Sequence, residues 1–278
     1  MDIVGNVDEL RKHVYDWRGQ SLSVGLVPTM GALHDGHMAL ARRSLETTER
    51  TIATLFINPR QFGQGEDLDS YPRTEEEDVE KLTGAGVHLL FAPTAQEMYP
   101  NGFSTGVAVS GLGDILEGAF RPGFFDGVAT VVCKLLNQAA ADIAFFGEKD
   151  FQQLRVIRTM ARDLNIPTRI EGVATVRESD GLALSSRNVY LSAEERQGAP
   201  ALYQTICDVA TKVKAGAPPA EAEAWGSAQI LAAGFASVDY LSVVDSETLE
   251  PYVDASRSGR VLVAAQLGRA RLIDNVAL

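Results

Sequence analysis

Four histidines occur in the chain, and two of them, His34 and His37, stand within Pro28-Thr29-Met30-Gly31-Ala32-Leu33-His34-Asp35-Gly36-His37. A separation of three residues puts both imidazoles on one side of a helical turn. From there they can donate to phosphate oxygens and stabilise charge that grows in a transition state. Gly31 and Gly36 permit a tight turn and close backbone approach. A helix start adds N–H groups and the positive end of the helix dipole, both of which favour phosphate. Two surface histidines near a turn would show the same spacing. No cysteine and no third histidine lies nearby, which argues against zinc.

Three further segments carry groups suited to a small charged ligand. Asn58-Pro59-Arg60-Gln61-Phe62-Gly63 supplies amides that donate and accept, as a hydroxyl beside a carboxylate requires. Asn-Pro also closes turns without any ligand, so Asn58 has that second reading. Phe145-Phe146-Gly147-Glu148-Lys149-Asp150 ends an apolar run and opens a helical pattern. A lysine in a first helical turn opposes the dipole. Lys149 therefore makes sense beneath an anion, or else neutralised by Glu148 and Asp150. Gln153 can share a helix face with Asp150, whereas Gln152 is expected to face solvent. Leu184-Ser185-Ser186-Arg187 brings two hydroxyls, loop amides and a guanidinium, which suit a departing pyrophosphate. A polar linker between domains would have the same composition. The remaining histidines, His13 and His88, read as surface or packing residues.

These segments sit at the ends of a regular alternation. Apolar runs with little polar alternation, at 22–27, 51–57, 87–91, 142–146 and 169–176, predict strands covered on both faces. Helical patterns separate them near 36–48, 75–84, 126–140 and 149–164. Alternation of this kind predicts an α/β fold with a doubly wound, Rossmann-like parallel sheet. In such a sheet ligands bind beyond the carboxyl ends of the strands, where the histidine pair falls. Thr74-Glu75-Glu76-Glu77 predicts a capping box, and the acids from Glu75 to Asp78 a first turn stabilised by the dipole rather than a metal site. The loop 58–73 is long and polar, a length that usually marks a functional loop; a site that must close over a reactive intermediate would make its part 63–73 a lid candidate. Near residue 190 the pattern changes. Ser192-Ala193-Glu194-Glu195 opens a helix expected to run to about 214, a second helix reaches about 233, and β-like runs follow at 238–244, 260–265 and 270–276. The expected organisation is a Rossmann-like sheet domain over 1–187 and a smaller α+β domain over 188–278, with the boundary near 186–192.

Composition narrows the function classes. Lys and Arg number 25 against 37 Asp and Glu, a formal charge of −12, so a general nucleic-acid surface is not expected. Only two cysteines are present, too few for a disulfide framework. No apolar stretch is long enough to span a membrane, and the first residues do not read as a signal peptide. A cytoplasmic setting is the expectation.

The segment from Pro28 to His37 is similar to the His-x-Gly-His signature of the nucleotidyltransferase superfamily. The longer string resembles the pantothenate synthetase family, ligases that join pantoate to β-alanine with ATP. FINPRQFG at 56–63, YPRT at 71–74, FFGEKDFQQL at 145–154 and DGLALSSRNVYLS at 180–192 agree in order and spacing. The resemblance implies ATP contacts at Met30, Gly31, Ala32, Leu33, His34, Asp35, Gly36 and His37. It implies others at Gly147, Glu148, Lys149 and Asp150, at Val176, and at Leu184, Ser185, Ser186 and Arg187. Gln61 and Gln153, with Asn58, would form the pantoate site. His34, His37, Lys149, Ser185, Ser186 and Arg187 would surround the phosphates during catalysis, with Mg²⁺ held mainly by nucleotide and water. The implied reaction runs through a pantoyl adenylate, and the implied assembly is a homodimer. His37 would either give a proton or only hydrogen-bond. A transferase that keeps the adenylyl group on its product, or a non-catalytic nucleotide-binding regulator, would share the histidine motif but not the amide-rich acid site. Position 184 is Leu where the family often has Met, and position 124 is Phe where it usually has His, which removes a polar contact.

Overall fold

A computed structural model describes residues 1–63, 65 and 68–278. Gln64, Glu66 and Asp67, which fall in the lid candidate, lie outside the described residues. Contacts divide the chain into two compact units: Met1–Glu148 with Gln153–Ala174, and Lys149–Gln152 with Thr175–Leu278.

The first unit holds six parallel strands, β1 (Asp2–Val4), β2 (Val24–Thr29), β3 (Arg50–Leu55), β4 (Leu89–Phe91), β5 (Ile143–Gly147) and β6 (Arg169–Val173), in the order β1-β4-β3-β2-β5-β6. Its helices are α1 (Val7–Gly19), α2 (Asp35–Thr47), α3 (Glu75–Ala85), α4 (Ala95–Met98), α5 (Glu117–Phe120), α6 (Phe124–Ala139) and α7 (Phe151–Asp163), whose first two residues group with the second unit. Successive strand residues point to opposite faces, and the core shows it. Ile52, Leu89, Phe91, Ala144 and Phe146 pack with Leu10 of α1, Val132 of α6 and Ile157 of α7. Ala53 and Leu90 pack instead with Met38 and Ala41 of α2 and Leu82 of α3. Helices therefore cover both faces, and that is why the strands read as continuous apolar runs. The sheet is the doubly wound one expected. Its strand order reverses between β2 and β5, which pair through Gly25 with Ile143 and Leu26 with Ala144. The crevice at such a reversal is where open α/β sheets bind ligands.

β1 and α1 were not among the expected elements. β1 has three residues, too few for a pattern, and α1 buries only Leu10 and Val14. Local chemistry still fixes the helix start, because Asn6 Oδ1 caps the Glu9 N–H at 2.9 Å.

In the second unit, α8 (Ala193–Gly198), α9 (Ala201–Lys214) and α10 (Pro219–Ala232) accompany an antiparallel sheet of β7 (Ser237–Asp245), β8 (Gly259–Leu267) and β9 (Ala270–Ala277). Ser192 and Glu195 form the expected capping box. The single helix expected from there to 214 is two helices, separated at Ala199 and Pro200, because proline lacks the N–H and crowds the preceding turn. Ile206, Val209, Ile230, Val261 and Val263 form this unit's own core. Contacts assign Thr175–Leu278, together with Lys149–Gln152, to this unit. Among the described residues no helix is long and apolar enough to cross a membrane.

His88 is a packing residue with a pH signature. Its Nδ1 accepts the Thr51 N–H at 3.0 Å, and burial, aided by Arg50, holds the imidazole below the ordinary histidine range. The unfolded chain takes up a proton near pH ~6.5 that the folded chain resists. Stability from this group is therefore whole above that pH and falls as the pH drops below it. The denaturation midpoint is expected to fall between about pH 7.5 and about pH 5.5, and to fall less in His88→Asn, which keeps an acceptor without the titration.

Candidate functional site

β2 ends at Thr29, and the next five residues carry the chain into α2. Gly31 takes φ +89° and Ala32 φ +51°, the left-handed region that costs an alanine about 1–2 kcal/mol. A side chain from α3 offsets that cost. Asp78, fully buried, accepts the Ala32 N–H on Oδ2 and the Leu33 N–H on Oδ1, each at 2.8 Å. One α-helical turn later, Lys81 Nζ donates to the Leu33 carbonyl at 2.8 Å. Thr74 was expected to cap α3, but its side chain makes no cap hydrogen bond. Its hydroxyl donates to Asp78 Oδ2 at 3.2 Å, a charge-assisted contact to the buried carboxylate. The acid run does form the first turn of α3, as expected, and its last member, Asp78, also braces the loop.

His34 is the N-cap of α2. Its Nδ1 accepts the Gly36 N–H at 3.1 Å, and His37 Nδ1 accepts the His34 N–H at 3.3 Å. The ring centroids lie 4.1 Å apart. With each Nδ1 accepting, the neutral rings carry their protons on Nε2, an assignment made from the hydrogen-bond network. The cap therefore turns two histidines into two Nε2–H donors side by side. A second proton on His37 Nδ1 would face the His34 N–H, donor against donor.

The segment after β3 supplies the amides. Asn58 is buried, and its hydrogen-bonding capacity is filled by protein. Its Nδ2 donates to Gln61 Oε1 at 3.0 Å and to the Gly127 carbonyl at 3.1 Å. Its Oδ1 accepts from Arg60 N at 3.3 Å and Tyr99 Oη at 2.8 Å. Asn58 is thus placed to orient Gln61 and close the turn, the second of its two readings. Burial pushes the Tyr99 phenol up to about 12, against the opposing pull of Arg60. Gln61 Nε2 donates to Met30 Sδ at 2.9 Å, so the loops after β2 and β3 meet there. These contacts use one donor and one acceptor position of Gln61, out of the two of each that an amide has. Gly127 lets α6 approach, since a Cβ there would stand 2.1 Å from the Arg60 carbonyl oxygen. Arg121 donates to the Gln61 carbonyl at 3.2 Å and pairs with Glu117 at 3.4 Å. Its guanidinium carbon sits 3.8 Å from the Phe124 ring centroid, so the phenylalanine supports Arg121 where a histidine would have offered a polar atom.

β5 closes at Gly147, paired with Val173, and Glu148–Asp150 form a 3-10 turn before α7. Gln152 is 4% exposed and groups with the second unit, which corrects the solvent-facing expectation; Gln153 is half-buried. Val176 does not end β6, which stops at Val173. It lies in a hairpin where the Leu184 N–H donates to its carbonyl at 3.0 Å and Arg177 pairs with Ala183. Leu184, Ser185, Ser186 and Arg187 are half-buried. Ser185 Oγ accepts the Arg187 N–H at 3.3 Å, opening the 3-10 turn Ser186–Tyr190.

Sequence reasoning missed Asp78, Lys81, Tyr99 and Arg121. The i, i+4 pair of Thr74 and Asp78 was the one local signal, and it was equally a helix start. Lys81 and Tyr99 act through partners distant in the chain, as does Arg121 on the Gln61 carbonyl, and spacing does not reveal such contacts.

The pantoate-beta-alanine ligase family model matches residues 2–277. The chain is similar to a pantothenate synthetase from Chelativorans sp. (strain BNC1), 56% identical over 274 residues, 99% of this chain and 96% of that protein. It is similar to the crystal structure of pantothenate synthetase from Thermus thermophilus, with a TM-score of 0.92 and 48% identity over 99% of both chains. It is also similar to a pantoate-beta-alanine ligase from Francisella tularensis, complexed with "Beta-gamma ATP and Beta-alanine". That match has a TM-score of 0.84 and 30% identity, covering 99% of this chain and 97% of that one.

Proposed function

Because this chain belongs to the pantoate-beta-alanine ligase family, we propose that it joins (R)-pantoate to β-alanine in two steps driven by ATP. A pantoate carboxylate oxygen attacks the α-phosphorus, the bond to the β-phosphate bridge breaks, and pyrophosphate leaves. The β-alanine amine then attacks the acyl carbon and loses a proton. The bond to AMP breaks, so AMP carries away one former pantoate oxygen and pantothenate remains.

The observation that carries the proposal is the paired Nε2–H donors of His34 and His37 at the exit of β2. Donors fixed before the reaction stabilise charge developing on phosphate without reorganising. Because His37 Nδ1 is held by the His34 N–H, hydrogen bonding is its assigned role, not proton transfer. Beyond its contacts with the described residues, Gln61 has one N–H and one lone pair, enough for the hydroxyl and carboxylate of pantoate. Gln153 is assigned to the same acid. Lys149 and the Ser185–Arg187 segment are assigned to the triphosphate, where an arginine fork suits two oxygens at once. Mg²⁺ would supply charge neutralisation on the phosphates. Among the described residues no group of three or more candidate metal ligands occurs, so nucleotide oxygens and water make up its donor set in this scheme. The second unit, 188–278 included, is assigned the covering role that keeps water from the adenylate. A cytoplasmic homodimer completes the proposal, and sedimentation at twice the chain mass is the expected result.

The test is ATP–pyrophosphate exchange with pantoate and with other small acids. Exchange that requires pantoate and proceeds without β-alanine is expected. Exchange that requires β-alanine would remove the free adenylate step.

A further inference from the structure

Lys149 and the Ser185–Arg187 segment are separated by more than thirty residues of chain, yet both are tied to two neighbouring residues of β9. Asn275 Nδ2 donates to the Lys149 carbonyl at 2.9 Å, and Asn275 Oδ1 accepts from Arg260 Nη1 at 2.6 Å. The Arg260 guanidinium carbon lies 3.8 Å from the Phe151 ring centroid. The turn that bears Lys149 is therefore gripped at its carbonyl and, through Phe151, at the start of α7. Asp274 makes a two-point pair with Arg177, at 2.6 and 2.8 Å. Arg177 also donates to the Gly181 carbonyl at 3.1 Å and the Asn275 carbonyl at 3.3 Å, and stacks on Tyr203 at 3.8 Å. Gly181 is the turn of the hairpin whose far arm runs through Ala183 and Leu184 into Ser185. Asn188 Nδ2 donates back to the Ala183 carbonyl at 3.1 Å.

Adjacent strand residues point to opposite faces, so Asp274 and Asn275 each reach one segment. They are 4% and 5% exposed. A carboxylate and an amide buried side by side are costly to desolvate unless each is paired; here Asn275 is paired to the Lys149 turn, and Asp274 to Arg177, which holds the Gly181 turn that leads into Ser185. We propose that Asp274 and Asn275 are positioning residues that set the spacing between Lys149 and Ser185–Arg187, so that both reach the triphosphate of one ATP. This rests on the ligation proposed above.

The experiment separates the half-reactions in the full-length enzyme. Pantoate-dependent ATP–pyrophosphate exchange reads adenylation. Adding β-alanine to enzyme that has already accumulated pantoyl adenylate reads aminolysis. Asn275→Ala is expected to lower adenylation at least tenfold, toward the ~100-fold that a 1 Å misplacement costs. Aminolysis, which does not involve pyrophosphate, is expected to change by less than about threefold. Arg260→Met removes the guanidinium from both Asn275 Oδ1 and the Phe151 ring while leaving Asn275 in place; a smaller loss confined to adenylation is expected. Should Asn275→Ala not fold, Arg260→Met decides. Unchanged adenylation, or an equal fall in both half-reactions, would overturn the positioning role. Absence of pantoate-dependent exchange in the unaltered enzyme would defeat the ligation proposal itself, before any variant is compared.

Discussion

Replacing His37 with alanine is expected to lower the rate of adenylate formation by about 10²- to 10³-fold, the usual cost of one transition-state donor. ATP affinity should change far less, because the lost contact strengthens only as charge develops. The cap geometry sharpens the expectation. His37 serves two purposes in this scheme, with Nδ1 accepting the His34 N–H at 3.3 Å and Nε2–H assigned as the donor to phosphate. Asparagine places an acceptor near the Nδ1 position, and glutamine places a donor near the Nε2 position. His37→Asn should therefore fall as far as His37→Ala, while His37→Gln should recover part of the rate. Single-turnover formation of pyrophosphate checks all three. Recovery by asparagine and not by glutamine would show that only the cap matters.

The second large effect belongs to a residue that need not touch a ligand. Asp78→Asn replaces one acceptor oxygen with an NH₂ that must face either the Ala32 or the Leu33 N–H. A lost charge-assisted hydrogen bond and a buried unsatisfied donor together cost about 3 kcal/mol. Ala32, held at φ +51°, would relax toward ordinary backbone and carry His34 with it. A displacement of 1 Å at the imidazoles is worth ~100-fold in rate. Asp78→Asn is thus expected to lose stability in denaturant titration and adenylation rate together, with aminolysis less affected. Full adenylation in a destabilised Asp78→Asn enzyme would show that the loop holds its shape without the carboxylate.

The two results bear on what the sequence could reveal. β2, β3 and β5 were legible because both of their faces are covered, so they carry unbroken apolar runs. The histidine pair was legible because its geometry is local: N-cap and third residue of one helix. Asp78 was legible as a first-turn acid but not as a loop brace, because its partners Ala32 and Leu33 lie more than forty residues away. Gln152 was misread because helical periodicity from α7 alone does not report what covers its first turn. Asp274 and Asn275 gave no signal: two polar residues in an otherwise apolar strand find partners in Arg177 and Lys149, each more than ninety residues away, and in Arg260 of the neighbouring strand. Pro200, by contrast, was a local mark that the helix ends, and the continuous apolar pattern on either side of it masked the break.

The central chemical claim is that the pantoate carboxylate becomes bonded to the α-phosphorus. Pantoate labelled with ¹⁸O in its carboxylate tests it most directly, with the labelled products read by mass spectrometry after complete ligation to β-alanine. One ¹⁸O in the phosphate of AMP is expected. Label appearing in inorganic phosphate alongside ADP, with none in AMP, would mean that the acid is activated at the γ-phosphorus and would contradict the adenylate mechanism.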